Sequence, residues 1–432
     1  LLIRPAVTEL PVSLDDWLAL LEQRHHTAID LGLERCREVW LRMGSPLPAA
    51  KIIVVAGTNG KGSTVATICS VLGSLGYSYG CYTTPHIHEY NERVQVNGRN
   101  ATDDELIESF RQVEKHRGDT SLSYFEFGTL AAFALMAGRG LDFAVMEIGL
   151  GGRLDAVNLL DADCAVITPI GLDHQEYLGD TLNAIGREKA GILRPGKPLI
   201  CGEANPPESV LGKAAELGAP VKRLGADFSA VPAGGKMKFT IGGETLDLPP
   251  PARAGPHQFG NPATARAALL ELVPEALQQP GLLAAGLAAV DLHGRFGRVA
   301  KSPSIWIDVG HNALGARAIA LALQGWTSDN GGRLHCVLAM LADKDAEAVA
   351  GELGKIVDHW YCAGLGGDRG QTGRVLAQRL LEVTPRDSLD VFNTVPEALN
   401  AARSAADPED GILVFGSFLT ADEATEALHR PA

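Results

Sequence analysis

The stretch Val54–Thr64, which reads VVAGTNGKGST, limits what this chain can fold into more than any other. The residues at its start, Lys51–Ala56, are mostly β-branched and apolar, as is typical of a strand buried on both faces. The residues after the glycines, Ser63–Leu75, have helical apolar spacing and are followed by Gly76, a residue suited to a helix C-terminus. A strand, a glycine-rich turn and a helix N-terminus direct backbone N–H groups at one point. The stretch therefore predicts a phosphate site in an α/β fold.

The glycine loop departs from the common phosphate-loop pattern at two positions. That pattern, G-x-x-x-x-G-K-[ST], requires Gly and then Ser or Thr at the places where this chain has Val55 and Gly62. Lys61 is retained for the β- and γ-phosphates, and Ser63 supplies a hydroxyl for a metal one position later. The plainer alternative is a turn that only connects strand to helix. The lysine, the hydroxyl and the flanking elements together favour phosphate binding.

Length and charge limit the class of protein. The 432 residues exceed one ordinary core and predict two or three domains. A hydrophobic content of 46% with 21% charged residues is typical of a soluble globular protein. The net charge of −14 argues against a general nucleic-acid partner, because a phosphate backbone requires a basic surface.

Cysteine usage and hydropathy indicate a compartment. The seven cysteines include no C-x-x-C pair, so we expect neither a disulfide framework nor a zinc site, and a reducing, cytoplasmic location. Arg4 and Glu9 interrupt the opening LLIRPAVTEL, so we expect no signal peptide there. No apolar run approaches the roughly 20 residues of a membrane span, so we expect no membrane partner.

Buried strands alternate with helices up to about residue 290. Strands are predicted at Lys51–Ala56, Tyr77–Thr84, Phe143–Ile148, Cys164–Ile170 and Pro198–Gly202, and helices at Ser13–His25, Thr102–Arg117, Tyr124–Arg139 and Thr181–Leu193. This rhythm predicts a doubly wound parallel sheet with both faces covered. Short alternating runs at 227–248 predict a small appended hairpin. Residues 83–98 have no helical or alternating period, and we predict a long surface loop there.

A second α/β unit is predicted to follow a glycine-rich, basic segment at 293–303, which has no period. Strands are predicted at Ser304–Val309, Leu334–Ala339, Trp360–Ala363, Leu389–Phe392 and Ile412–Phe415, with a final helix at Thr420–Arg430. The predicted fold class is α/β. Residues 1–296 form an N-terminal P-loop-type doubly wound sheet with the small β element, and residues 297–432 form a smaller C-terminal Rossmann-like domain. The second domain has no glycine fingerprint for a dinucleotide.

Polar residues follow several of these predicted strands. Glu147 ends one strand of the first sheet, and Asp173 and His174 follow the next. In the second domain the clusters DVGHN (308–312), DKD (343–345) and GSF (416–418) also lie at strand ends. Because open α/β sheets bind ligands at the carboxyl ends of their strands, these positions predict a ligand-facing edge. A solvated glutamate and an ordinary histidine are the alternatives, the latter favoured by chemistry alone because Mg²⁺ prefers oxygen ligands.

Nine motifs in one order resemble a known family over essentially the whole chain. They are GTNGKGS (57–63), TPH…NERVQVNG (84–98), EIGLGGRLDA (147–156), GLDH (171–174), REKAGI (187–192), GRF (294–296), DVGHN, DKD and GSF. Together they resemble the folylpolyglutamate synthase/dihydrofolate synthase family within the Mur ligase superfamily of ATP-dependent amide-forming ligases. The chain departs from that family at Thr84, where Ser is frequent, and at Gly310 and Ala313, where the loop is more often Ala-His-Asn-Pro.

The resemblance implies a set of site residues. ATP would be held by Gly57, Thr58, Asn59, Gly60, Lys61, Gly62, Ser63, Asn261, Arg295 and Asp308. Mg²⁺, expected as two ions, would be held by Ser63, Thr84, Glu147 and His174. Glutamate would be bound by Asp308, His311 and Ser417, and the pterin end of the acceptor by Ile29, Asp30, Leu31, Ser123, Tyr124, Phe125, Glu126, Leu154, Asp155 and Ala156. Lys61, Lys189 and His311 would be catalytic, with Lys189 carried as a carbamate.

The resemblance also implies the reaction. A monomeric ATP-dependent ligase would join L-glutamate to dihydropteroate, and then to folates, through an acyl phosphate. One alternative is a synthase that acts on folates only. A second is a Mur-type ligase of peptidoglycan precursors, whose loop is more often GTNGKT and which needs a nucleotide-sugar domain for which the residues before 57 leave no room. A third, a nucleotide-hydrolysing switch, leaves the DVGHN and DKD clusters unexplained.

Overall fold

The computed structural model describes residues 10–25, 30–250, 257–290 and 294–429. Its strands are β1 (Lys51–Ala56), β2 (Tyr79–Tyr82), β3 (Val94–Val96), β4 (Arg99–Asn100), β5 (Phe143–Glu147), β6 (Cys164–Ile167), β7 (Leu199–Cys201), β8 (Val221–Arg223), β9 (Phe228–Ala233), β10 (Lys236–Ile241), β11 (Glu244–Leu248), β12 (Gly297–Lys301), β13 (Ser304–Asp308), β14 (Leu334–Leu338), β15 (His359–Ala363), β16 (Leu389–Phe392) and β17 (Gly411–Phe415). Its α-helices are α1 (Leu14–Arg24), α2 (Glu34–Arg42), α3 (Lys61–Ser74), α4 (Asp103–Arg117), α5 (Tyr124–Met136), α6 (Gln175–Leu178), α7 (Leu182–Lys189), α8 (Glu208–Glu216), α9 (His257–Leu272), α10 (Pro280–Ala288), α11 (Ala313–Asn330), α12 (Ala346–Leu353), α13 (Gly373–Leu380), α14 (Val395–Ala405) and α15 (Phe418–His429). Ile29, predicted as a site residue, lies outside the described residues.

The first sheet is built around β1, in the order β4-β3-β2-β5-β1-β6-β7-β8. β1 pairs in parallel with β5 and β6, and its bounds are those predicted from the sequence. Its residues alternate between two cores, as a strand's period of two requires. Ile52 and Val54 belong to the core on the side of α1, α4 and α5, whereas Ile53 and Val55 belong to the core on the side of α3 and α9. The predicted doubly wound sheet is confirmed.

The segment 83–98 is more regular than predicted. It contains a 3₁₀ turn at Tyr90–Arg93 and strand β3, which pairs antiparallel with β2 and β4 at the edge of the sheet. The prediction of an aperiodic loop was therefore wrong for its second half. A strand of three residues shows too little alternation in the sequence to be recognised, and its pairing with β2 is what defines it.

The appended β element contains three strands where two were predicted. β9, β10 and β11 form an antiparallel sheet that packs against α9. β10 and β11 are the predicted hairpin around Gly242 and Gly243. β9 was missed because it carries Pro232 and buries little beyond Phe228, so its sequence alternates weakly.

The second domain has a six-stranded sheet in the order β12-β13-β17-β14-β15-β16. All of its pairs are parallel except that of β12 with β13, so the sheet is mixed. The segment 293–303, predicted to lack regular structure, contains β12. A register shift between Arg298 and Ala300 breaks the alternation, which is why the sequence conceals this strand.

The two sheets place their strand ends on opposite sides of one cleft. Residues following β1, β5 and β6 line one wall, and residues following β13 and β17 line the other. This follows from parallel strands, whose carboxyl ends gather at a single edge. Among the helices in the described ranges, none is long and apolar enough to cross a lipid bilayer.

Candidate active site

The cleft between the two sheets has a volume of about 260 Å³. Of the residues implied by the resemblance, those that line it are Gly57, Thr58, Asn59, Gly60, Lys61, Gly62, Ser63, Thr84, Glu147, His174, Lys189, Asn261, Arg295, Asp308 and His311. They come from eight separate segments of the chain. The structure therefore brings the implied ATP and metal residues together at one place.

Close packing explains the glycines of the loop. A Cβ atom at Gly57, where φ is +146°, would lie 1.8 Å from Thr168 Oγ1. A Cβ at Gly60, where φ is +87°, would lie 2.5 Å from the Asn261 side chain. Both positions combine positive φ with no room for a side chain, so only glycine fits.

The departure from the common loop pattern at Gly62 has a structural cause. A Cβ atom there would lie 2.6 Å from Arg295 Nη2. The guanidinium fills the space that a Ser or Thr side chain would need, and α3 begins at Lys61 beside it. Arg295 belongs to a segment packed on the second sheet, because Gly294 O accepts from Val309 N and Phe296 stacks on Trp306. The loop is thus shaped to receive a cation from the second domain.

The buried Lys189 and the half-buried Lys61 meet at one carbonyl of the loop. Lys61 Nζ donates to Gly57 O at 3.2 Å and to Thr58 O at 3.1 Å, and Lys189 Nζ donates to Gly57 O at 2.7 Å. Burial lowers the pKa of Lys61, which the nearby Glu147 carboxylate partly opposes. Burial, with a smaller contribution from the charge of Lys61, lowers the pKa of Lys189 to about 7. Two such cations in a cleft favour a polyanion.

Of the implied metal ligands, Ser63 lies in the first turn of α3, Thr84 and Glu147 lie beside it, and His174 lines the same cleft. Glu147 Oε2 accepts from Thr84 N at 3.2 Å, and the same oxygen would lie 3.4 Å from a Cβ at Gly62. Burial raises the pKa of Glu147, while Lys61 and Arg295 lower it. Burial lowers the pKa of His174 to about 4, which leaves the neutral imidazole that can ligate. A hydroxyl, a carboxylate and an imidazole fit a divalent ion. Elsewhere in the described ranges, no cluster of three or more His, Cys, Asp or Glu side chains could hold a metal ion.

The second domain supplies the opposite wall. Asp308 accepts from Gly310 N at 2.7 Å, and burial raises its pKa to about 6. His311 Nδ1 lies 3.0 Å from Val309 O, which turns Nε2 towards the first domain. Ser417 is not among the residues that line the cleft: its side chain is buried, accepts from Thr420 N at 3.0 Å and caps α15.

The implied pterin residues form a separate group on the first domain. Arg35 joins two of them, with Nη1 2.6 Å from Asp30 Oδ2 and Nε 3.1 Å from Glu126 Oε2. Ser123 and Glu126 form the capping box of α5. Arg35 was missed from the sequence, where nothing but a helical position at 35 marks it.

Asp155 and Phe125 connect this group to the cleft. Asp155 accepts from Gly149 N at 3.0 Å and from Leu150 N at 2.9 Å, and both of those residues line the cleft. Burial raises the pKa of Asp155 to about 7, and these backbone donors oppose that effect. A Cβ at Gly149 would lie 2.7 Å from the Phe125 ring. None of the implied pterin residues within the described ranges itself lines the cleft (Asp30, Leu31, Ser123, Tyr124, Phe125, Glu126, Leu154, Asp155 and Ala156).

Three further residues cross the cleft and were missed as site residues. Asp173 accepts from Lys344 Nζ at 2.7 Å and from Asn312 Nδ2 at 2.9 Å. The Asn312 amide also pairs with that of Asn59, at 2.8 and 3.0 Å. Burial would raise the pKa of Asp173, but His311 and Lys344 hold it well below its usual range. Their position in the strand-end clusters GLDH, DVGHN and DKD was the signal available in the sequence.

Comparison with known proteins agrees with this arrangement. Residues 55–227 match the family described as "Mur ligase middle domain", and residues 294–418 match "Mur ligase, glutamate ligase domain". The chain is 41% identical to the dihydrofolate synthase/folylpolyglutamate synthase of Escherichia coli (strain K12) over 416 residues, covering 96% of this chain and 95% of that protein. The chain belongs to the dihydrofolate synthase/folylpolyglutamate synthase family. Its fold class and the family resemblance of its motifs are thereby confirmed.

Solved structures of this family superpose on the whole chain. E. coli FolC in complex with DHPP and ADP gives a TM-score of 0.88 at 40% identity, covering 96% of this chain and 97% of that one. A bifunctional folylpolyglutamate synthase/dihydrofolate synthase with Mn, AMPPNP and L-glutamate bound gives a TM-score of 0.85 at 38% identity, covering 97% and 98%. The likeness therefore extends over nearly the whole length of this chain and of its relatives.

Proposed function

We propose that the protein is an ATP-dependent carboxylate–amine ligase that joins L-glutamate to dihydropteroate, giving dihydrofolate, and to tetrahydrofolate, giving poly-γ-glutamate. The observation that carries this proposal is the cleft itself, in which a phosphate loop faces the strand ends of a second α/β domain. Membership of the dihydrofolate synthase/folylpolyglutamate synthase family supports both activities. A ligase of peptidoglycan precursors and a nucleotide-hydrolysing switch are not supported.

ATP is proposed to bind along the glycine loop, with its phosphates over the start of α3. The loop amides, the N-terminus of α3 and the Lys61 ammonium together suit a triphosphate. Asn261 and Arg295, which pack against Gly60 and Gly62, would contact the nucleotide from the two sides, together with Asp308. ADP and AMPPNP in structures of relatives support this placement.

Ser63, Thr84, Glu147 and His174 are proposed to hold the divalent metal. We propose Mg²⁺, with two ions in all. The fit rests on Glu147, a buried carboxylate in the wall of the cleft beside the phosphate loop. When bound, the metal would offset negative charge on the phosphate oxygens.

Lys189 is proposed to carry a carbamate. Its amine is buried, and its pKa of about 7 keeps a large share of it neutral at physiological pH. The ammonium first loses a proton; the neutral nitrogen then attacks CO₂, an N–C bond forms at the expense of one C–O π bond, and a second proton leaves, so that a cation becomes an anion. This change would turn Lys189 from a neighbour that repels Lys61 into one that attracts it.

The two acceptor substrates and glutamate are proposed to approach from different walls. Asp308 and His311 would bind glutamate from the second domain, with Ser417 shaping the adjoining turn. The pterin end would lie against the group around Asp155 and Phe125, which reaches the cleft through Gly149. DHPP and L-glutamate bound to relatives support this arrangement.

The chemistry then needs two displacements. The acceptor carboxylate attacks Pγ of ATP, and the bond between Pγ and the bridging oxygen breaks. ADP is released, and the acceptor now carries an acyl phosphate. The glutamate amine attacks the acyl carbon, loses a proton, and releases phosphate as the amide forms. Lys61 would stabilise the charge that develops at the phosphates, and the second domain would hold both reactants in line and exclude water.

The domain division at 296/297 remains part of the proposal, together with a monomeric state and a cytoplasmic location. The first two sheets end by residue 248 and the third begins at Gly297. The stacking of Phe296 on Trp306 favours a boundary a few residues earlier. Seven buried cysteines, all free, support a reducing compartment.

Release of ADP from ATP with three sets of substrates tests the proposal. Glutamate is supplied with dihydropteroate, with tetrahydrofolate, or with neither acceptor. We expect release with either acceptor and little without one, because the carboxylate is the phosphoryl acceptor. Release that needs tetrahydrofolate alone would reduce the proposal to a folate-only synthase, and release with no acceptor would indicate a switch.

A further inference from the structure

The side chain of Asp173 is the meeting point of the two domains. It lies just after β6 in the first domain, and three groups of the second domain converge on it. Lys344 Nζ lies 2.7 Å from Oδ1, Asn312 Nδ2 lies 2.9 Å from Oδ2, and His311 Nε2 lies 3.5 Å from Oδ2. Its own backbone neighbour, His174 N, also donates to Oδ1 at 2.9 Å.

Burial makes this contact different from an ordinary surface ion pair. The side chains of Asp173 and Lys344 are 10% and 7% exposed. When the domains separate, both charges return to water; when they close, both are buried together. A closed form with only one of the two would bury an unpaired charge, which is strongly unfavourable.

A second contact between the domains provides a natural comparison. His88, in the loop before the 3₁₀ turn, bonds through Nδ1 to Asp422 Oδ1 on α15. Those side chains are 40% and 26% exposed, so water can replace either partner in any arrangement of the domains. The buried contact therefore has far more influence on closure than the exposed one.

We propose that Asp173 is the positioning residue that locks the second domain onto the first and thereby sets His311 against the cleft. It acts through other residues and is not itself a reacting group. Loss of its charge would leave Lys344 buried without a carboxylate, with only the His174 Nε2 contact at 3.4 Å, and an amide in its place would set N–H donors against Lys344 and Asn312. The closed arrangement, which also brings Arg295 to Gly62, would then be depopulated.

Hydrogen exchange in the ligand-free protein tests the lock without relying on activity. In Asp173→Asn we expect peptides spanning 308–316 and 340–346 to exchange several-fold faster, while a second-domain peptide spanning 389–405 is unchanged. Asp422→Asn is the control and should leave all three unchanged. Adding Lys344→Met to Asp173→Asn removes the unpaired charge and should restore part of the protection. Lys344→Met alone should have a smaller effect, since Asp173 keeps two second-domain donors.

Kinetics provide the second readout, and this part rests on the proposed function. Asp173→Asn should raise the KM for glutamate at least tenfold, with the double variant recovering part of the loss; a merely structural role would not give that recovery. Unchanged exchange in Asp173→Asn, equal effects of Asp422→Asn, or faster turnover would overturn the proposal. If Asp173→Asn unfolds both domains, the same exchange measurement on Lys344→Met, which removes the partner in the second domain, tests the proposal instead. A wild-type protein without glutamate-dependent ADP release would refute the proposed function and leave the exchange result standing.

Discussion

The phosphate side of the site and the pterin side differ in where their polar groups find partners. Around the loop, Gly62 is packed by Arg295 and Asn59 pairs with Asn312, so the arrangement is complete only when both domains are in place. In the pterin group, Arg35 joins Asp30 to Glu126 within the first domain. On our proposed assignment of these two groups, ATP binding would depend on domain closure, whereas the acceptor site would be organised within the first domain alone.

The largest effect is expected from Lys61→Ala. Lys61 belongs to the loop and donates to two of its carbonyls, and removing a group that stabilises developing charge lowers turnover on the order of 10³-fold. Glutamate-dependent ADP release should be lost while the melting temperature and circular dichroism stay close to the wild type. An active variant would show that the loop lysine has no part in the reaction.

Gly62→Ala should follow. The added methyl group would displace the Arg295 guanidinium, and a displacement of about 1 Å in a reacting assembly lowers the rate on the order of 10²-fold. Steady-state ADP release measures the effect. The matched control is Gly212→Ala in α8, where a Cβ meets nothing within 4 Å and should stabilise the helix by about 0.5–1 kcal/mol. Equal activity of the two variants would mean that Arg295 need not reach the loop.

A third prediction concerns pH. Because burial lowers the pKa of Lys189 to about 7, the neutral amine should increase about tenfold between pH 6 and pH 8, and carbamate formation with it. Labelling with ¹³C-bicarbonate followed by NMR measures this change. The folded pKa lies below the unfolded value of 10.5, so the stability penalty of the buried charge is fully present below pH 7 and is relieved as pH rises towards 10.5. Lys189→Met should be more stable than the unmodified wild type at pH 7, with a difference that shrinks at higher pH.

Of these variants, Arg35→Met is expected to have the smallest effect on nucleotide binding. Leaving the buried Glu126 carboxylate without its arginine should lower stability by about 1–3 kcal/mol and raise the KM for dihydropteroate. The affinity for ADP, measured by calorimetry, should stay within about threefold of the wild-type value, because distant sites that share no partner affect each other little. A large loss of ADP affinity would contradict the separation of the two sides.

Much of the architecture could be predicted because the strands around the loop are buried on both faces and carry unbroken apolar runs. β1 was located to the residue, and the strand-end positions of Glu147 and Asp308 follow from the rule for parallel sheets. β3, β9 and β12 were missed because short, edge or bulged strands leave little periodicity in the sequence.

The candidate site was less predictable where function depends on contacts between the domains. The sequence places Asp173 and Lys344 in separate motifs, 171 residues apart, and no local pattern indicates that they pair. Arg35 was missed although its partners lie within the first domain, because Glu126 is 91 residues away along the chain. Ile29 lies outside the described residues, and the roles given to the other site residues remain predictions for the experiments above.

The position of the Arg295 guanidinium against Gly62 has a consequence for how much ATP the enzyme hydrolyses without forming product. A phosphate loop complete in itself can hydrolyse ATP whenever ATP is present, whereas here a cation that shapes the loop arrives on a segment packed against the other sheet. In our proposal the nucleotide pocket is fully assembled only when the second domain, to which we assign glutamate binding, lies against the loop. Under that arrangement the enzyme would hydrolyse little ATP while no glutamate is bound.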